Sequence, residues 1–235
     1  MIKLKQVQFG YQQPLFGIDE LELAEGMVYG LVGRNGSGKS TFLQTLIGEV
    51  APLKGDITVH GRSLMELQKD VALRAKSIAF VSSMFAGLEA LTLEEYVGLG
   101  RLPHLGPFGR MQTADFERVQ SVLSILHMST MSQKETTKLS DGERQLASLA
   151  RAIVQDTPLM LLDEPASFLD YFNRERLLDL LLQWLAEKPK RTVVFSSHDI
   201  DLCIQKGIPL LVLHQQRITL LNTPTKSEVL TLLSA

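Results

Sequence analysis

Gly33-Arg34-Asn35-Gly36-Ser37-Gly38-Lys39-Ser40-Thr41 is the stretch on which the reading of this chain turns. It satisfies G-x-x-x-x-G-K-[ST], the pattern of a phosphate-binding P-loop. The apolar run Met27-Val28-Tyr29-Gly30-Leu31-Val32 in front of it predicts a buried strand, and Ser40 to Ile47 behind it predicts the first turns of a helix. Strand, glycine loop and helix in that order are the context the motif requires. The glycines let the backbone wrap closely enough for its N–H groups to face phosphate oxygens, and the helix start adds a favourable dipole. Lys39 can reach the β- and γ-phosphates, and the Ser40 hydroxyl can ligate Mg2+. A turn that carries Lys-Ser by coincidence would not bring both flanks with it. The loop is expected to bind a nucleotide triphosphate.

Working outward, a length of 235 residues suits one α/β domain, with room for a small insertion. Lys and Arg number 24 against 26 Asp and Glu, a net charge of −2, so no electrostatic footprint points to nucleic acid. The single Cys203 excludes an intrachain disulfide and fits a reducing compartment. Met1 to Lys5 leads into alternating, strand-like residues rather than the apolar core of a signal peptide. The leucine-rich segment Leu177 to Leu185 is broken by Asp179 and Gln183 and is too short to span a bilayer. The chain is expected to be soluble by itself, with any membrane role exerted through a partner.

Ile2 to Phe9 and Leu21 to Leu23 alternate as strands do, and Pro52 to Asp56 is turn chemistry ahead of Ile57-Thr58-Val59 and the turn His60-Gly61. The first 60 or so positions therefore mix antiparallel hairpins with the P-loop unit. Ile78-Ala79-Phe80-Val81 is a short buried strand. From about Leu93 to Gln155 the pattern turns helical, with Gly100 to Gly109, including Pro103 and Pro107, as an interrupting loop. After Pro158 strands and helices alternate. Leu159 to Leu162, Thr192 to Ser196 and Leu210 to Leu213 read as strands, and Asn173 to Glu187 reads as a helix. The fold class is α/β: a single domain over 1–235, with a mainly parallel sheet covered on both faces, an antiparallel N-terminal β-subdomain, and a helical subdomain inserted at about 85–155.

Leu159-Met160-Leu161-Leu162 ends in Asp163-Glu164. A strand C-terminus beside a P-loop is where phosphoryl-transfer enzymes hold Mg2+, which makes Asp163 the acid on the metal side. Glu164 can polarise or accept a proton from an attacking water. Ser196-Ser197-His198-Asp199 ends the next buried strand in the same way and puts His198 within range of the γ-phosphate. In Leu139-Ser140-Asp141-Gly142-Glu143-Arg144-Gln145, Ser140 and Glu143 form a capping box that opens a helix. A capped helix start beside a glycine is a second anion site, and it need not meet the first within one molecule.

With these motifs in hand, the chain resembles an ATP-binding-cassette ATPase over essentially its whole length. The resemblance implies Tyr11 as the aromatic stacked on adenine, Gly33 to Thr41 as the P-loop, and Leu139 to Gln145 as the signature that contacts nucleotide through Ser140, Gly142 and Glu143. It further implies Leu159 to Glu164 as the strand that ends in the metal-side and water-activating carboxylates, Ser167-Phe168-Leu169-Asp170 as the D-loop, whose Asp170 adjoins the nucleotide, and His198 as the catalytic histidine. It also implies ATP and Mg2+ as cofactors, and a head-to-tail dimer in which ATP lies between the P-loop of one copy and the signature of the other. Val97 to Arg110 is similar to the corresponding segment in ATPases of iron-siderophore, haem and cobalamin importers. In that group a separate integral-membrane permease and a substrate-binding protein complete the machine, and the ATPase sits on the cytoplasmic face of the membrane.

Two positions depart from the family pattern. Ser83 stands where a glutamine contacts Mg2+ and water, and Asp141 replaces the first glycine of the signature. A carboxylate at Asp141 suits the helix dipole but repels phosphate if turned inward. Two other readings compete with the importer ATPase. A soluble cassette protein, such as an iron-sulfur cluster assembly ATPase, is disfavoured by the Arg101 to Arg110 loop. A P-loop small-molecule kinase leaves the signature unexplained.

Overall fold

The computed structural model describes residues 1–106 and 108–234; Pro107 of the Gly/Pro-rich stretch lies outside the described residues. The N-terminal part is built from β1 (Ile2–Gly10), β2 (Pro14–Leu23), β3 (Met27–Gly33), α1 (Lys39–Leu46), β4 (Lys54–Val59) and β5 (Arg62–Ser63). Strand β1 buries Ile2 and Leu4, then Val7 and Phe9, so its inward face changes parity midway. The register shift between Lys5 and Gln8 is the cause: Gln6 adopts a left-handed φ of 49°, opposite Gly55 of β4. A Cβ on Gly55 would lie 2.2 Å from the Gln6 carbonyl oxygen, so only glycine fits against this bulge. The β4–β5 turn, His60-Gly61, has positive φ at both residues, the geometry that matches strand twist in a tight hairpin.

Two short helices unmarked in the sequence reading follow, α2 (Leu64–Lys69) and α3 (Val71–Ser77). Their starts are set by a Ser63–Glu66 capping box and by Asp70. Next come β6 (Ile78–Val81) and the helical insertion: α4 (Leu93–Gly98), a 3-10 turn at Leu99–His104, α5 (Thr113–Ile125) and α6 (Asp141–Gln155). The expected loop from Gly100 to Gly109 is thus half helical. The chain then runs through β7 (Leu159–Leu162), α7 (Tyr171–Ala186), β8 (Thr192–Ser196), α8 (Ile200–Gln205), β9 (Leu210–His214), β10 (Arg217–Leu221) and α9 (Lys226–Ser234). Helix α7 starts two residues before the sequence-based boundary because the Asp170 carboxylate caps it.

The strands form one sheet in the order β5-β4-β1-β2-β10-β9-β3-β8-β7-β6. From β9 to β6 every pairing is parallel, and the N-terminal strands pair antiparallel. The parallel strands are almost wholly apolar because helices cover both faces. One face packs α4 to α8 over residues such as Val28, Ala79, Met160 and Val193. The other packs α1 and the antiparallel strands over Tyr29, Leu161 and Val194. Parallel pairing has one consequence for chemistry: the C-terminal ends of β3, β6, β7 and β8 all emerge on one edge of the sheet.

Candidate functional site

The P-loop lies where β3 meets α1, and its glycines are there for steric reasons. A Cβ on Gly33 would sit 2.7 Å from Ser37 Oγ and 2.9 Å from the Leu213 carbonyl oxygen. Gly38 has φ +109°, and a Cβ there would strike the Phe16 ring at 2.8 Å. Gly36, φ +75°, faces open space. No side chain caps α1 and its first turn carries no acid, so its amides are free for an anion. Ser37 Oγ is buried with no partner, a polar atom that a bound phosphate can satisfy. Lys39 is only 6% exposed and curls back over the loop, where Nζ donates to the carbonyls of Gly33 at 3.1 Å and Arg34 at 3.4 Å. Arg34, Asn35 and Ser40 are exposed, and Thr41 is buried beneath them. The cradle, the orphaned hydroxyl, the uncapped helix and the masked ammonium together fit a nucleotide polyphosphate.

Next to β3 in the sheet is β8, and beyond it β7; Leu31 pairs with Ser196 and Leu162 with Phe195. This register brings Asp163, Glu164 and His198 to the edge that carries the P-loop. Asp163 is 8% exposed and accepts from Ser196 Oγ at 2.7 Å; the same Ser196 oxygen accepts from the Glu164 amide at 2.7 Å. Glu164 occupies a left-handed φ of 48°, unusual for a side chain of its length. Its carboxylate is held from two sides, Oε1 by His198 Nε2 at 2.8 Å and Oε2 by Ser167 Oγ at 3.3 Å. A carboxylate oriented by an imidazole at the end of a buried strand can serve as a general base. With Ser40 and Asp163, this edge offers oxygen donors of the kind Mg2+ takes. Ser83 is half-buried two residues beyond the end of β6, on the same edge.

Tyr11 is 61% exposed in the β1–β2 turn, and its hydroxyl donates to Gln44 Oε1 of α1 at 3.0 Å, which holds the ring beside the P-loop helix. The signature residues lie apart from this cluster, at the start of α6. The Glu143 carboxylate accepts from the Ser140 amide at 2.7 Å and the Glu143 amide donates to Ser140 Oγ at 3.3 Å, so the capping box is formed. The Ser140 amide, with Lys134 beside it, holds the Glu143 carboxyl below its ordinary pKa. Asp141 is ion-paired with Arg144 of the same helix turn, which takes up its charge at the surface. Gly142 lies against the D-loop: a Cβ there would be 3.3 Å from the Phe168 carbonyl oxygen. Asp170 accepts from the Asn173 amide at 2.9 Å and from its Nδ2 at 3.2 Å, so its carboxylate is engaged in capping α7.

Two contacts are not visible in the sequence. Ser196 was read only as the start of a strand end, although a serine closing an otherwise apolar strand was a usable signal. Gln145, 2% exposed, donates to the Ser82 carbonyl at 3.5 Å and ties α6 to the loop after β6. Among the described residues no helix is long and apolar enough to cross a membrane.

Comparison with known proteins points to one family. A family model described as ABC transporter matches residues 18–167. The chain is 32% identical over 217 residues to the molybdate import ATP-binding protein MolC of Haemophilus influenzae, covering 92% of this chain and 79% of that protein. Its backbone superposes on a transporter described as of the metal-chelate type, in an inward-facing conformation, with a TM-score of 0.81 and 32% identity over 99% of this chain and 88% of the other. It also superposes on the dimeric ATP-binding cassette MJ0796 bound to ADP and Pi, with a TM-score of 0.84 and 25% identity, covering 96% of this chain and all of that one.

Proposed function

The chain belongs to the ABC transporter family and is an ATPase, and from that premise we propose that it powers a metal-chelate importer, with an iron-siderophore, haem or cobalamin as cargo. In this reading two copies associate head to tail on an integral-membrane permease, at the cytoplasmic face of the membrane, and a substrate-binding protein delivers the cargo. The observation that carries the reading is the pair of helix starts. That of α1 lies beside Glu164 and His198, whereas that of α6 bonds within its own turn and abuts the D-loop. Each anion site is complete only if a second copy brings the other kind to it.

Within the shared site Lys39 exchanges two neutral carbonyls for phosphate oxygens, and Tyr11 stacks on the base. Ser40 and Asp163, with Ser83 on the same edge, would hold Mg2+. When bound, the ion neutralises charge on the β- and γ-phosphates. Glu164 receives the proton of the attacking water, and His198 keeps the carboxylate aimed at it. Ser140 of the second copy through its hydroxyl, and Gly142 through its amide, face the phosphate that departs.

The Val97 to Arg110 stretch and the metal-chelate neighbour favour the chelate cargo; the molybdate relative supplies the competing one. Affinity purification of the Glu164→Gln chain from native membrane extract with ATP tests the whole. Recovery of a permease, with light scattering showing a dimer that ATP induces, is the expected result. A soluble partner set without a permease, as an iron-sulfur assembly ATPase would give, overturns the importer reading.

A further inference from the structure

Helix α6 ends in carbonyl groups with no partner inside the helix, as every helix does. Here the 3-10 turn Leu99–His104 supplies partners. Arg101 Nη1 donates to the Val154 carbonyl at 3.0 Å, and His104 Nε2 donates to the Gln155 carbonyl at 2.7 Å. The same guanidinium donates through Nε to Asp115 Oδ1 at 2.8 Å, while Asp115 Oδ2 accepts from the Gln112 amide at the start of α5 at 3.0 Å. One arginine therefore holds the end of α6 and the beginning of α5. The turn approaches so closely that a Cβ on Gly100 would lie 2.4 Å from the Arg151 carbonyl oxygen of α6. Gly100, Arg101 and His104 all come from the stretch that suggested a cargo class, yet their contacts are with a helix end.

We propose that this turn is a clamp on the C-terminal end of α6, and that Arg101 is a positioning residue for the signature at the opposite end. The proposal rests on the reading that Ser140 and Gly142 complete the nucleotide site of a second copy. Fifteen residues make α6 about 22 Å long, so a tilt of about 5° at the clamped end moves the other end by about 2 Å. Hydrogen bonds to phosphate tolerate donor–acceptor distances of only about 2.7–3.2 Å. A displacement of that size disengages the signature amides and leaves the P-loop, on another element, untouched.

The test uses Arg101→Ala and Arg101→Lys, with His104→Ala as a second route should Arg101→Ala fail to fold, each in the Glu164→Gln background. Binding of a fluorescent ATP analogue to the monomer is expected to stay within about twofold of the parent. The ATP concentration for half-maximal dimerisation is expected to rise about tenfold or more for Arg101→Ala. Arg101→Lys keeps a cation on the last carbonyls but cannot hold Asp115 as well, and is expected to lie between the two. Amide hydrogen exchange at Gly142 to Arg144 in the monomer is expected to quicken in step. Unchanged dimerisation with unchanged exchange overturns the clamp; so does a parallel loss of ATP binding and thermal stability, which marks a merely structural contact. If the parent itself does not dimerise with ATP, the shared-site reading fails, and exchange at the start of α6 still decides whether the clamp sets that end.

Discussion

Ser196→Ala isolates the role of the hydroxyl that joins Asp163 to the Glu164 backbone. Ser196 is completely buried, and its Oγ donates to Asp163 and accepts from the Glu164 amide, both at 2.7 Å. Alanine removes both bonds and leaves a carboxylate that is only 8% exposed without its donor. A hydrogen bond to a charged group contributes about 1.5–3 kcal/mol and a neutral one about 0.5–1.5, so the loss is about 2–4.5 kcal/mol. For a chain of this size each kcal/mol shifts the melting temperature by about 2–4 °C, so a loss of 3 kcal/mol lowers it by about 6–12 °C. Turnover suffers separately. Glu164 is held at a left-handed φ, a conformation that costs about 1–3 kcal/mol and persists only while its surroundings impose it. With the Ser196 bond gone the turn relaxes, and a misplacement of about 1 Å at the base costs about 10²-fold in kcat.

The companion substitution Ser196→Thr separates the two effects. Threonine keeps the hydroxyl and forces a methyl group into a packed strand, at about 1–3 kcal/mol. The expected pattern is that both variants melt earlier, that alanine loses turnover, and that threonine retains it. Thermal unfolding and ATP hydrolysis well below the transition provide the readings. A folded Ser196→Ala protein that hydrolyses ATP within about twofold of the parent would refute the reasoning, because the carboxylates would then be placed by something other than this bond.

Lys39→Ala is expected to weaken ATP binding by about 10- to 150-fold, the equivalent of one charge-assisted contact of about 1.5–3 kcal/mol, as read by equilibrium binding. Glu164→Gln keeps binding but nearly stops hydrolysis; equal single-turnover rates for variant and parent would remove Glu164 from the role of base. Ser83→Gln is expected to preserve or raise ATPase activity, since the polar atoms of glutamine lie two bonds farther from the backbone than the hydroxyl of serine, whereas Ser83→Ala lowers it slightly; a marked loss in Ser83→Gln would place the loop elsewhere. The start of α6 is expected to loosen in acid. The Glu143 pKa is lowered from 4.5 by the Ser140 amide and then by Lys134, so its stabilising contribution is full above 4.5 and is lost as pH falls through the lower folded value. Glu143→Gln should abolish that dependence in amide exchange at the first turn of α6.

What was legible in the sequence was local, and what was not depended on register or on distance along the chain. The P-loop could be read because its strand, glycines, Lys39 and helix are contiguous, and the Ser140–Glu143 box because it closes within one turn. The alternating pattern of β1 hid the change of parity at Gln6, since that bulge is imposed by Gly55 on a neighbouring strand. Ser196 acquires its role only when β8 pairs with β7 in a register that sets Phe195 against Leu162 and brings its hydroxyl to Asp163. Asp141, read as a source of repulsion if turned inward, is ion-paired with Arg144 one turn on. Arg101 shows the limit most clearly. Its partner Val154 lies 53 positions away and is a backbone carbonyl, a group that leaves no mark in the residue pattern. Sequence resemblance can therefore mark such a stretch as characteristic of a class of transporters without revealing what it touches. In this fold its side chains hold the end of a helix whose far end, in the proposed dimer, would face the nucleotide of another copy. On the proposed clamp, a stretch that resembles one group of importers would act on the chemistry of ATP rather than on the cargo, by setting the angle at which α6 presents its first turn.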